Sequence, residues 1–186
     1  MMDTLQKAVY AALRDMGYDP DDEEMAGTPQ RWASFLREFD KNRERDWVFT
    51  TFDNPGYDEM IVQSNITFFS LCAHHLVPYY GVAHVGYLPT TRICGLSKLS
   101  RLVEYYSRQL ATQEKVTIDI ANELEEVLAP RGAGVVIEAE HLCMTMRGIK
   151  KPGATTTTSA LKGVLLDEPD ARAEFFSLVN GKGRRH

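Results

Sequence analysis

Cysteine is scarce in this chain. Its 186 residues hold three, an odd number too small for a stapled secreted framework and in keeping with a reducing compartment. Long apolar runs are missing too. The most apolar stretch, Ile66 to Leu88, is broken by Ser70, His74, His75, Pro78 and His84, which excludes it as a membrane span. The first six residues, Met1 to Gln6, lack a basic start followed by an apolar core and do not read as a signal peptide. Positive charge is in short supply: 21 Lys and Arg against 26 Asp and Glu give a net charge of −5. That balance excludes a broad nucleic-acid surface but still allows a few convergent basic residues to hold a small anion. What is present is an ordinary globular composition, 44% hydrophobic and 25% charged. The length suffices for a core without disulfides. The expectation is a cytoplasmic protein that binds neither nucleic acid nor membrane.

The hydrophobic period changes along the chain. Leu5, Ala8, Val9, Ala12, Leu13 and Met16 recur at helical spacing and predict a helix that Gly17 ends. An acidic loop, Asp19 to Glu24, follows. Thr28 then reads as an N-cap with Pro29 at the first helical position, opening a helix through Trp32, Phe35, Leu36 and Phe39 that ends in the charged run Lys41 to Asp46. Ile61–Phe69 and Tyr79–Leu88 are rich in β-branched and aromatic residues and read as strands. Thr90-Thr91-Arg92 links to a helix near Ser97 with Leu99, Leu102, Val103, Tyr106 and Leu110 on one face. Another helix runs from about Thr112 to the stop at Ala129-Pro130-Arg131-Gly132. Gly134–Met146 is the clearest strand, Ala154–Leu161 the next, and Pro169–Val179 the last helix, with a frayed tail over Gly181–His186. Strands and helices each come in pairs, which favours an α+β fold with an antiparallel sheet.

Five places could carry chemistry. Cys72 and His75 in Cys72-Ala73-His74-His75 stand three apart, a spacing that a tight turn can fold around one metal ion. Alternation along the Gly134–Met146 strand places His141, Cys143, Thr145 and Arg147 on one face. Cys143 then either joins Cys72 and His75 on zinc or is a buried thiol beside a core histidine. Three protein ligands leave a position for water; Cys94 would close the site as a fourth, although Ile93 and Leu96 flank it as core residues do. Gly95-Leu96-Ser97-Lys98 with Arg101 puts two cations one turn apart at a helix start, either a phosphate cradle or an ordinary helix end. Glu114, beside Gln113, can accept two hydrogen bonds from an edge such as that of guanine, or be the solvated start of a helix. Arg147, followed by Lys150 and Lys151, offers a further phosphate contact. The run Thr155–Thr158 reads as β propensity.

In combination these motifs resemble the GTP cyclohydrolase I family, in order and approximate spacing from about Thr28 to the last helix. The resemblance implies the tunnelling fold: an antiparallel four-stranded sheet with a helix pair on one face, plus N-terminal helices. Residues 1–50 would form the helical segment and 51–186 the tunnelling-fold domain. It implies Cys72, His75 and Cys143 as zinc ligands, His74 as the acid/base histidine at the guanine imidazole ring, and Gln113 near the same atoms. It further implies Glu114 as the guanine anchor, and Ser97, Lys98, Arg101 and Arg147 around the ribose and triphosphate. His141 falls on the metal strand and Arg31 near the phosphates. GTP would be the substrate, 7,8-dihydroneopterin triphosphate and formate the products. The assembly would be a homodecamer of two pentamers, with sites at subunit interfaces. Ala73 departs from the pattern, since the family usually has Glu there. This departure supports a rival reading, a catalytically altered homologue that binds a purine nucleotide. A 7-deazaguanine-type enzyme on the same fold is another rival, which needs no metal.

Overall fold

A computed structural model of the chain describes residues 1–40 and 44–181. The contacts gather the chain into two compact units, Met1–Arg43 and Glu44–His186. The predicted frayed tail beyond Gly181, and the first three residues of the charged run Lys41 to Asp46, lie outside the described residues.

The first unit is a pair of packed helices, α1 (Thr4–Asp15) and α2 (Thr28–Arg37). A reciprocal capping box starts α1: the Asp3 carboxylate accepts the Gln6 backbone N–H, and the Gln6 side chain accepts that of Asp3. The expected Thr28 cap is displaced by one residue. Gly27 is the N-cap and makes no side-chain cap bond. The Thr28 hydroxyl instead accepts a 2.9 Å bond from the Arg31 guanidinium.

The second unit is α+β. Four strands, β2 (Ile61–Cys72), β3 (Pro78–Leu88), β6 (Gly132–His141) and β7 (Thr155–Gly163), pair antiparallel in that order. The two-residue β5 (Leu110–Ala111) adds in parallel at the β2 edge. A separate ribbon pairs β1 (Thr51–Asp53) with β4 (Arg92–Cys94), so the expected link at Arg92 is in fact a short strand.

One sheet face carries the helix pair α3 (Leu96–Ser107) and α4 (Gln113–Leu128), with α3 on β2 and α4 on β6 and β7. Leu99 and Leu102 of α3, Ile120 and Leu124 of α4, and Val85, Val135 and Ile137 of the sheet are all fully buried there. Each such side chain contributes about 1.5–3 kcal/mol. The opposite face packs Val136 against Leu165 of α6 (Val164–Asp167) and Phe175 of α7 (Pro169–Gly181). At Gly81 a Cβ would run into the Glu138 carbonyl oxygen of the neighbouring strand, so β3 and β6 approach too closely there for any side chain.

One expectation about β6 fails. The strand does not run to Met146. It ends at His141, and Cys143 lies in a one-turn helix, α5 (Leu142–Thr145). The cause is loss of partners. The β3 ladder ends at the Tyr79–His141 pair, next to Pro78, which has no N–H to donate, and the β7 ladder ends at Glu140–Thr155. Cys143, Thr145 and Arg147 therefore do not share an alternating face.

His84 on β3 is 5% exposed, and its Nδ1 has no hydrogen-bond partner among the described residues. Burial holds its imidazole below the ordinary value, against the opposing pull of Glu138. Below about pH 6.5 the unfolded chain takes up the proton first, so acidification costs stability. Melting curves between about pH 7.5 and about pH 5.5 should show a larger loss in the parent protein than in His84→Phe.

Candidate functional site

The turn between β2 and β3 is tight. Cys72 N–H donates to Val77 O at 3.0 Å, and the Cys72 carbonyl accepts from His75 N–H at 3.2 Å and Leu76 N–H at 2.9 Å. These bonds curl His75 back over Cys72, leaving its Nδ1 3.6 Å from the Cys72 Sγ. The helical turn α5 brings in Cys143. The donor atoms of Cys72, His75 and Cys143 all lie within 4.8 Å of one another. Two thiols and an imidazole at that separation can hold a metal ion. Tetrahedral ligands about 2.0–2.3 Å from one centre stand about 3.3–3.8 Å apart, so only a slight closing is needed. Burial, with Cys72 beside it, pushes the Cys143 thiol up, while Arg147 pulls it down. Cys94 is not part of the cluster. It is a core residue of β4, 7% exposed, its N–H donating to the Tyr87 hydroxyl at 3.0 Å and its thiol pushed up by burial.

Beside the cluster is a cavity of about 270 Å³, lined among others by His74, Gln113, Glu114 and His141. Gln113, 1% exposed, shapes its wall. Its amide nitrogen donates to Ile137 O at 3.0 Å and to Thr156 O at 2.9 Å, with the Thr158 hydroxyl sharing one of these hydrogens at 3.1 Å. Two of these acceptors are backbone carbonyls, so the amide orientation is settled and its oxygen must face His141 Nε2, 2.8 Å away. That nitrogen is therefore protonated, and Nδ1 is the ring atom left for exchange. Tyr79 stacks on the same ring at 4.6 Å and 3°. Burial holds the His141 imidazole below its ordinary value, with Glu114 opposing. Burial also pushes the Tyr79 phenol up to about 12, so Tyr79 stays neutral.

The structure thus brings together Cys72, His74, His75, Gln113, Glu114, His141 and Cys143. Ser97, Lys98 and Arg101 do not line this cavity; they lie on the first turns of α3. Arg147 is exposed just beyond α5. Arg31 belongs to the first unit, where its guanidinium meets Thr28. Thr156 and Thr158 were missed as site residues. Their spacing of two on a strand, which puts both on one face, was the available signal. Glu138 and Glu140 lie on the other sheet face, where Glu140 accepts from the Tyr80 hydroxyl at 3.4 Å, so neither supplies an acid at Ala73.

Comparison with protein families matches residues 5–180 to GTP cyclohydrolase I. The chain belongs to the GTP cyclohydrolase I family. It is an enzyme, a hydrolase. It is 47% identical over 178 residues to the GTP cyclohydrolase 1 of Aquifex aeolicus, covering 95% of this chain and 96% of that one. It is 49% identical to that of Streptomyces griseus, over 94% and 90% of the two chains, and 42% identical to that of Campylobacter concisus over the full length of both. Among solved structures, the apo archaeosine synthase QueF-Like aligns with a TM-score of 0.47 at 13% identity, over 56% of this chain and 93% of that one. No helix among the described residues is long and apolar enough to cross a membrane.

Replacing Gln113 with Leu, close in size, strands two backbone carbonyls and the His141 N–H. Urea unfolding should show a loss of about 1–3 kcal/mol relative to the parent protein.

Proposed function

We propose that the protein hydrolyses GTP at C8 of the guanine, releasing formate and yielding 7,8-dihydroneopterin triphosphate. The observation that carries this reading is the cluster of Cys72, His75 and Cys143 against one cavity wall that also presents His74, Glu114 and His141. The donor set, two thiolates and one imidazole, suits zinc and leaves one coordination position open. Bound there, zinc supplies a Lewis acid able to activate water near neutral pH.

The chain's own residues do the rest. Glu114, exposed on the first turn of α4, accepts the guanine N–H and amino group and fixes the base. His74, on the exposed turn with its Nδ1 3.9 Å from the Cys72 Sγ, hands a proton to the imidazole nitrogen as the ring opens. His141, fixed by Gln113 and Tyr79, moves protons through Nδ1 as the amide is hydrolysed and the ribose rearranges. Lys98, Arg101 and Arg147 hold the triphosphate, and Ser97 assists at the sugar.

The cavity of about 270 Å³ falls just under the usual range of about 300–1,000 Å³ for small-molecule sites. The α3 cations lie outside it. Both features support a homo-oligomer in which the start of α3 in one copy completes the cavity of another, and the family resemblance suggests a decamer of two pentamers. A cytoplasmic, reducing compartment suits the free thiols. The alternatives part company at the metal and at turnover. A thiol-dependent 7-deazaguanine-type enzyme has no use for the three-donor cluster. A binding-only homologue, which Ala73 favours, would take GTP without releasing formate.

The test is purified, zinc-loaded protein with GTP, assayed for formate and for the fluorescent oxidised pterin. Equal amounts of both are expected. Cys143→Ser should lose zinc, measured by elemental analysis, together with both products. Co-expressed Cys143→Ser and Lys98→Met chains should regain part of the activity that each lacks alone. Bound GTP without formate in the parent protein would overturn the reading in favour of a binding role.

A further inference from the structure

Outside the cavity, one group of side chains is left unused by the chemistry above. It begins in the irregular segment 44–50, which leads into β1. Thr50 O accepts the Gly95 N–H at 3.3 Å, and β1 pairs with β4 through Thr51–Cys94. The segment is therefore bonded to the residues that open α3. Within it, Arg45 makes a two-pronged ion pair with the Glu123 carboxylate of α4, one prong at 2.6 Å. Glu123 is 8% exposed and also accepts the Tyr106 hydroxyl at 2.7 Å. The same guanidinium lies over the Tyr105 ring at 4.4 Å and over the Trp47 ring at 4.6 Å. The Lys98 ammonium also lies over the Trp47 ring, at 5.7 Å.

Each link is understandable alone. A buried carboxylate needs its charge answered, and Arg45 answers it in the bidentate geometry that Arg favours. A guanidinium stacked on two rings is restrained in position, and it restrains the rings in turn. The outcome is that one tryptophan face, set by a chain running from α4 through Arg45, carries the end of a flexible lysine. A lysine stem has four rotatable bonds, and a free ammonium loses that freedom when it grips an anion.

We propose that Trp47, set in place by Arg45, Glu123 and Tyr106, is a positioning residue that holds the Lys98 ammonium ready for the substrate's triphosphate. This rests on the reading of Lys98 as a phosphate ligand. Trp47 touches no reacting atom; its effect is on the affinity for phosphate, not on the hydrolysis.

The experiment compares the parent protein with Trp47→Leu, Trp47→Phe and Glu123→Gln, and repeats Trp47→Leu in a Lys98→Met background. Two readouts are taken: steady-state kinetics with GTP, and the Kd of inorganic tripolyphosphate by calorimetry. Trp47→Leu should raise KM for GTP and Kd for tripolyphosphate about three- to ten-fold, with kcat held within about two-fold. Glu123→Gln should move the same way, and Trp47→Phe, which keeps a ring face, should stay near the parent. In the Lys98→Met background, where the tripolyphosphate Kd is the readout compared, Trp47→Leu should add nothing further, because the partner it acts through is gone. Unchanged KM and Kd in Trp47→Leu would overturn the proposal. So would an equal loss with and without Lys98, which marks a purely structural residue. Should the parent protein release no formate from GTP, the functional reading fails on its own, and the tripolyphosphate arm still decides whether Trp47 serves Lys98.

Discussion

The Gln113 amide joins three elements at one point: the first residue of α4, the β6 carbonyl at Ile137, and the β7 strand at Thr156 and Thr158. A buried amide with two carbonyls before its nitrogen has a single acceptable orientation, because the reverse would set oxygen against oxygen. Its oxygen is thereby committed to His141, and the tautomer of that ring follows. Thr117 secures the arrangement, its hydroxyl donating 2.7 Å to the Gln113 carbonyl and lying 2.7 Å from the Thr158 hydroxyl. Glu114 is the next residue along, so the place where α4 begins also decides where the exposed carboxylate stands.

The site collects where several elements end. β2 finishes at Cys72, β6 at His141, and α4 starts at Gln113. The ends of strands held in a ladder are rigid, whereas the turn bearing His74 and His75 is exposed and confined mainly by the bonds to Cys72 and Val77. Fixed and adjustable parts are thus combined. The buried thiol and the clamped imidazole hold their positions, and the two exposed histidines can settle onto whatever enters.

The fold class and most elements were readable from the sequence, because the period of the apolar residues changes from helix to strand where the structure does. The helix faces through Leu99 and Leu102, and through Ile120 and Leu124, are the buried ones. What escaped was governed by partners rather than by local pattern. Arg92–Cys94 is a strand only because Thr51–Asp53 lies beside it. Cys143 leaves the strand only because β3 stops at Pro78 and no ladder continues. The metal-capable trio was legible from the Cys72–His75 spacing and the nearness of Cys143 to His141, although the assumed alternation was the wrong route to it. Gln113 was singled out, but not its engagement with carbonyls, since a backbone acceptor carries no residue-type signal. Thr156 and Thr158 resembled ordinary strand residues for the same reason.

The isolation of Cys94 has an analytical consequence. Its sulfur lies in the core and its thiol is pushed up by burial, so it is a poor target for alkylating or chromogenic thiol reagents while the fold persists. Cys72 is buried as deeply as Cys94, whereas Cys143 is partly exposed, so Cys143 is the thiol whose reaction an occupying metal would mask. Counting reactive sulfur in the native protein therefore reports metal occupancy, and counting it again after denaturation, when all three thiols respond, gives the reference from the same sample.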